Sequence, residues 1–273
     1  MSPELKGTLV LAGCGKMGGA MLEGWLKSGV SPKQIVAIDP KPPQEVLAVL
    51  QRHGIRHNPP FASISGAEVL VIAVKPQVMG DVLPGLASLM SSKPVIISIA
   101  AGTTIATFEK AFGADAAVVR CMPNTPAAIG RGITGMVGNA HATPSQMALA
   151  ETLLASTGEV VRVANESQID FVTAVSGSGP AYVFLLAEAM AAAGEKLGLA
   201  PELAMKLARA TVSGSGELLH QSKEPAATLR QNVTSPNGTT YAALQVLMAA
   251  DGIQPLMDKA VAAAARRAKE LAG

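Results

Sequence analysis

Short runs of near-continuous apolar residues recur through the first half of the chain, each closed by glycine, proline or a polar cluster. They predict strands over Thr8–Ala12, Ile35–Asp39, Val69–Val74, Pro94–Ile99, Ala117–Cys121 and Ile133–Gly138. Strands apolar on both faces belong in a sheet covered on both sides, and the amphipathic stretches between them supply that cover. From about Asn165 the β-branched runs vanish, and long segments rich in Ala, Leu and Met take over at helical length. The pattern therefore divides at residues 1–164 and 165–273: an α/β half with a doubly wound sheet, then an all-α half. Prolines at 180, 201 and 236 mark helix starts, where a missing N–H costs nothing. The segment Ala181–Leu197 is apolar around most of its circumference, so it needs cover that one helical domain cannot give, and a partner subunit is expected.

Composition bears on the alternatives. Apolar residues make up 49% of the chain and charged residues 15%, which raises the question of a membrane span. The longest candidate, Ala181–Gly194, is interrupted by Glu188 and falls short of the roughly 20 apolar residues that cross a bilayer. The opening MSPELKG runs into the first strand without the charged and apolar regions of a secretory signal, so a cytoplasmic protein without membrane contact is expected. Cys14 and Cys121 are too few for a disulfide framework and lack zinc-site spacing; they read as buried fillers, and no metal is expected. The net charge of +2 is spread along the chain and aromatics are 3%, which argues against a nucleic-acid partner and for a small-molecule ligand. None of His53, His57, His141 and His220 stands out beside a motif, and surface or helix-face roles are expected for them. Glu188, within an apolar helix, needs a partner if buried.

The most informative motif is Gly13-Cys14-Gly15-Lys16-Met17-Gly18, which follows the first strand and precedes an amphipathic segment with Met21, Leu22 and Trp25. This is GxGxxG in its required context. Gly13 permits the tight turn, Gly15 lets the backbone approach a pyrophosphate, and Gly18 allows close helix–strand packing. The next strand ends in Asp39, about 20 residues past Gly18, where an acid hydrogen-bonds the adenosine ribose. A dinucleotide-binding, Rossmann-type domain is therefore expected.

Other strand ends carry small or polar residues, and strand C-termini are where open α/β sheets bind ligands. Val74-Lys75-Pro76 closes one strand; Lys75 either faces the cofactor or is a solvated lysine at a loop start. Ser98-Ile99-Ala100-Ala101-Gly102 closes another with residues small enough to admit a nicotinamide ring. In Met122-Pro123-Asn124-Thr125-Pro126, Asn124 and Thr125 either orient that ring or serve ordinary turn chemistry. In the helical half, Ser176–Ala181 and Asn232–Thr240 each join small hydroxyl residues to a helix start, an arrangement suited to a carboxylate or simply to capping. The second has more donors than capping requires.

Taken in order, GCGKMG, VIAVKPQ, SIAAG, RCMPNTP, VTAVSGSGPAY and LRQNVTSPNGTTYAAL resemble the pyrroline-5-carboxylate reductase family across nearly the whole chain. The resemblance implies a Rossmann-type domain followed by a helical dimerisation domain. It implies NADPH or NADH as cofactor, reduction of 1-pyrroline-5-carboxylate to L-proline, and assembly as a homodimer or a larger ring of dimers. It also implies cofactor contacts at Gly13, Cys14, Gly15, Lys16, Met17, Gly18, Asn58, Val74, Lys75, Pro76, Ala100, Ala101 and Asn232, beside those read at Asp39 and Asn124. Ser235, Gly238, Thr239 and Thr240 would form the substrate loop, with the Thr240 hydroxyl bonding the ring nitrogen as the catalytic group. The family's usual SPGGTT reads here Ser235-Pro236-Asn237-Gly238-Thr239-Thr240, with a side chain where glycine is usual.

The nearest rivals are another NAD(P)H-dependent imine reductase and a β-hydroxyacid dehydrogenase, which shares the N-terminal motif. The latter needs a lysine on the helix after its second glycine motif, and the segment here reads PAYVFLL. Asp39 would oppose a 2′-phosphate while Lys41 could offset it, so NADH is expected to be used well.

Overall fold

A computed structural model describes residues 4–272; the first three residues of MSPELKG, and Gly273, lie outside the described residues. By the proximity of its Cα atoms the chain divides into two compact units: residues up to Gly177 with those from Ala264 onward, and Ser178–Ala263.

The first unit is built on an eight-stranded sheet of β1 (Thr8–Ala12), β2 (Ile35–Ile38), β3 (Arg56–His57), β4 (Ala67–Ile72), β5 (Val95–Ser98), β6 (Val118–Met122), β7 (Gly132–Gly138) and β8 (Gly158–Arg162). Their order is β3-β2-β1-β4-β5-β6-β7-β8, and every pair is parallel except β6 with β7. The first six strands follow the Rossmann order. The central strand β1 is apolar on both faces because both faces are covered: Leu9, Val10, Leu11 and Ala12 are all fully buried, with Val10 opposite Val36 on one side and Leu70 on the other. Helix α1 (Lys16–Lys27) brings Met21, Leu22 and Trp25 into the core with Leu9 and Leu11, and the Trp25 indole N–H donates to the Leu153 carbonyl at 3.0 Å, in the later helix α5 (Pro144–Leu154). The opposite face collects Val10, Ile72, Ile96 and Phe108, the last from α4 (Ile105–Phe112).

One strand, β8, was not anticipated, and β3 was placed only by the family resemblance that puts Asn58 at the end of a third strand. β3 is only two residues long, and in the edge strand β8 Glu159 and Arg162 flank the pair Val160-Val161, so neither forms a continuous apolar run. Other expected strands shift by one to two residues; the run Val69–Val74 is realised as Ala67–Ile72, with Ala73 and Val74 already in the loop.

The expected division at 164/165 marks where strands end, but compactness breaks later, because α6 (Gln168–Val172) packs on the sheet. Ile169 is buried in the core, and Arg120 on β6, its side chain only 4% exposed, pairs with Glu166 at 3.0 Å and Asp170 at 3.3 Å. A buried guanidinium needs such partners.

The second unit holds α7 (Gly179–Lys196), α8 (Pro201–Gln221), α9 (Ala226–Asn232), α10 (Thr239–Leu247) and the first part of α11 (Ile253–Ala272). Pro180 and Pro201 sit in the first turns of α7 and α8. Pro236 does not begin a helix: α10 starts at Thr239, because Asn237 has φ +56°, outside the helical region. The α7 and α8 helices meet through Ala191, Ala204 and Ala208. Glu188 is exposed and needs no buried partner.

The length argument against a membrane span does not hold. The run Gln168–Lys196, which takes in α6, a π-helical turn and α7, has 29 residues and is long and apolar enough by length and composition to cross a bilayer, with 11% of its apolar window buried. Charge at Glu188 interrupts the sequence without interrupting the helix.

Candidate active site

The glycine loop between β1 and α1 has the geometry a dinucleotide needs. Gly13 has φ +95°, and a Cβ there would stand 2.7 Å from the Ala73 and Val74 backbone, so the turn can pass β4 only as glycine. A Cβ on Gly18 would collide with the Gly13 carbonyl oxygen and reach the Ala73 methyl at 3.4 Å, which seats α1 against the sheet. Around Gly15 the opposite holds: a Cβ would meet nothing within 4 Å. That open space lies at the N-cap of α1, where no side chain caps the first N–H groups. Unpaired N–H groups and the positive end of the helix dipole suit a pyrophosphate, so this loop fits a nicotinamide dinucleotide. Lys16 is exposed on the first turn, while Met17 packs partly into the core.

At the end of β2, Asp39 reaches the same loop. Its Oδ2 accepts the Cys14 N–H at 2.6 Å, and its Oδ1 accepts the Lys41 N–H at 2.8 Å. Asn58, just past β3 with φ +48°, binds the Asp39 backbone twice: it accepts the Asp39 N–H at 2.9 Å and donates to the Asp39 carbonyl at 2.7 Å. The His57 Nε2 lies 2.9 Å from that carbonyl. His57 was missed as part of the site; its adjacency to Asn58 was the available signal. The Cys14 thiol is fully buried, and its pKa is pushed up to about 12 by desolvation and by the nearby Asp39 charge. Burial alone raises Cys121. Both are free, buried cysteines, as fillers should be.

The remaining strand ends lie in the same unit. Lys75 and Pro76 are exposed where β4 gives way to a 3-10 turn, with Val74 half-buried before them. Ala100 is buried and Ala101 exposed after β5, so a small-residue ledge stands at that strand end. Asn124, after β6, is engaged within the fold: its carbonyl accepts the Ile133 N–H at 2.9 Å and its amide donates to the Ser176 carbonyl at 3.1 Å. These bonds support the turn reading of Asn124.

In the second unit, the segment Thr234–Thr240 turns sharply before α10. The Gly238 N–H bonds the Ser235 carbonyl at 3.1 Å, Asn237 occupies the left-handed region, and Gly238 caps α10 without a side-chain bond. A left-handed residue explains why glycine is usual at position 237, and asparagine is among the few side chains that tolerate it. Ser235 and Thr239 are exposed and Thr240 is half-buried in the first turn, so hydroxyls and uncapped N–H groups cluster at one helix end. Asn232 ends α9 and is exposed.

Comparison with known proteins agrees with this arrangement. Residues 8–102 match the family described as NADP oxidoreductase, coenzyme F420-dependent, and residues 166–271 match pyrroline-5-carboxylate reductase dimerisation. A pyrroline-5-carboxylate reductase of Pseudomonas aeruginosa is 41% identical over 97% of this chain and 96% of its own length. A pyrroline-5-carboxylate reductase structure from Coxiella burnetii superposes with a TM-score of 0.91 at 35% identity, covering 98% of this chain and all of that one. The Plasmodium falciparum pyrroline carboxylate reductase structure with NADP bound gives a TM-score of 0.80 at 28% identity, covering 98% and 99%. With its glycine loop, its strand order and its full-length relatives in agreement, the chain belongs to the pyrroline-5-carboxylate reductase family.

Proposed function

We propose that this chain is an NAD(P)H-dependent oxidoreductase acting on a C=N bond, reducing 1-pyrroline-5-carboxylate to L-proline as the last step of proline biosynthesis. The observation that carries the reading is the donor cluster at the start of α10, in a chain whose relatives carry that activity in their names.

The division of labour follows the sequence halves, 1–164 for cofactor and 165–273 for substrate and assembly. The open backbone at Gly15 and the uncapped first turn of α1 receive the pyrophosphate, and the Val74–Pro76 and Ala100–Ala101 loops line the path toward the nicotinamide. Ser235, Gly238 and Thr239 grip the substrate carboxylate through hydroxyl and N–H groups. When bound, the reduced nicotinamide supplies a hydride to the imine carbon. As that bond forms, the C=N electron pair moves to nitrogen, and the Thr240 hydroxyl holds the proton there by hydrogen bonding to the ring nitrogen. A protonated imine is already electrophilic, so positioning dominates over acid–base chemistry.

The exposed apolar side chains of α7 support a homodimer or a larger homo-oligomer, since Phe184 is 64% and Leu185 63% exposed in the single chain and 166–271 match a dimerisation domain. That reading also accounts for the apolar stretch Gln168–Lys196 without a bilayer. A cytoplasmic location is supported by the two unpaired thiols, which suit a reducing compartment.

Turnover of 1-pyrroline-5-carboxylate, measured against a panel of larger cyclic imino acids and a β-hydroxyacid, tests the activity. Thr240→Ala should lower kcat/KM by about 10- to 1,000-fold with cofactor affinity unchanged. Wild-type turnover in the purified variant overturns the role of Thr240.

A further inference from the structure

The corner of the sheet where β2 and β3 end beside the glycine loop holds one carboxylate more firmly than its place at a strand end requires. Asp39 is bound at both oxygens by backbone N–H groups, Oδ2 by Cys14 and Oδ1 by Lys41. Its own backbone is bound in turn by both polar atoms of the Asn58 amide, with the His57 ring nitrogen on the same carbonyl. Asn58 does this from φ +48°, a conformation that costs energy for a residue with a side chain and persists when its surroundings over-determine it. Three separate stretches of chain thus aim one side chain.

The position is the one where a Rossmann-type sheet meets the adenosine ribose. Each Asp39 oxygen accepts one N–H and keeps acceptor capacity, so the carboxylate can take the 2′- and 3′-hydroxyls of a ribose together. A 2′-phosphate at that place brings two negative charges against a third. A loosely held carboxylate would swing away, but Asp39 can do so only by giving up its bonds to Cys14 and Lys41. Lys41 is the cation nearest in sequence. Its N–H is committed to Asp39, and Pro40 and Pro42 restrict the backbone on either side, while its side chain lies exposed.

We infer that Asp39, positioned by Asn58, makes this protein select NADH over NADPH. The inference rests on the reductase reading only for the identity of the substrate. Asp39 discriminates by charge at the 2′ position; Asn58 is a positioning residue that acts through it.

Binding is the primary test, with nicotinamide fluorescence titrated on the intact wild-type protein, and turnover of 1-pyrroline-5-carboxylate with each cofactor is the second. NADH should bind about tenfold or more tightly than NADPH, the scale of one close like-charge repulsion. Asp39→Asn keeps the size and removes the charge, and should move the ratio of dissociation constants toward NADPH by about ten- to a hundredfold. Asn58→Ala should move the same ratio in the same direction by a smaller factor, whereas a merely structural role would weaken both cofactors equally. Tighter binding of NADPH by the wild type overturns the inference even if neither variant folds. An unmoved ratio in a folded Asp39→Asn protein overturns it as well. Selective NADH binding without turnover of the imine supports the inference and overturns the reductase reading.

Discussion

The two units solve the burial problem in opposite ways. The first encloses its own core, with Trp25, Phe108 and the apolar positions of β1, β4 and β5 all withdrawn from water. In the second, the buried side chains among the described residues are three alanines, Ala191, Ala204 and Ala208, while Phe184, Leu185, Leu186, Leu203 and Leu207 stay exposed. Small domains that cannot bury enough apolar surface alone depend on metals, disulfides or oligomerisation. The second unit shows neither a disulfide nor a metal-binding cluster among its described residues, and its family is one of dimerisation. Stability is therefore expected to belong to the chain in the first unit and to the assembly in the second, the unit that carries the loop proposed to hold the substrate.

The largest way to break that contrast is a charge on the exposed α7 face. Phe184→Asp should raise the dimer dissociation constant by about a hundredfold or more, since burying one large apolar side chain is worth about 1.5–3 kcal/mol and a buried charge costs further. Sedimentation equilibrium measures the shift, and helical signal should fall with dilution in parallel. An unchanged assembly would mean that this face is covered by something other than a second copy.

The first unit should fail differently. Arg120→Ala leaves Glu166 and Asp170 without their cation, and because those carboxylates are 32% and 14% exposed the cost should lie at or below the low end of the about 3–5 kcal/mol for a fully buried pair. Urea unfolding should show that loss with a midpoint independent of protein concentration. Cys121, one residue along the strand, reports the opening: its thiol is buried with its pKa raised, so it should react with a thiolate-directed reagent only as the unit unfolds. Loss that depends on concentration would erase the distinction between the two units.

Much of this was legible before any coordinates. Strands of the first unit announce themselves because a sheet covered on both faces needs continuous apolar runs, and Gly13, Gly15 and Gly18 are each demanded by a different local constraint. The helical half was legible in kind, as was its need for a partner. What escaped was set by position in the fold. β8, at a sheet edge, has charged residues facing water and so no apolar run, and β3 is too short to carry a pattern. Pro236 resembled a helix start because the left-handed turn at Asn237 is invisible to a proline rule. The Asp39, Asn58 and Cys14 network joins residues far apart in sequence, and only the order β3-β2-β1 brings their ends together.

The smallest effect tests the second unit where backbone conformation, not burial, is the constraint. Asn237 has φ +56° in the turn before α10, and its neighbour Gly238 closes that turn on Ser235. Glycine adopts this conformation without steric cost, asparagine with a modest one, and alanine with a penalty of about 1 kcal/mol. Asn237→Gly should therefore leave thermal stability and kcat/KM near those of the wild type. Asn237→Ala should lower stability by about 1 kcal/mol and raise KM for the imine several-fold, because a relaxed turn no longer presents Ser235 and Thr239 together. The effect should appear in KM rather than kcat if the loop binds the carboxylate equally in ground and transition states. If glycine proves as damaging as alanine, the Asn237 side chain itself holds the loop, and the backbone account of this position is wrong.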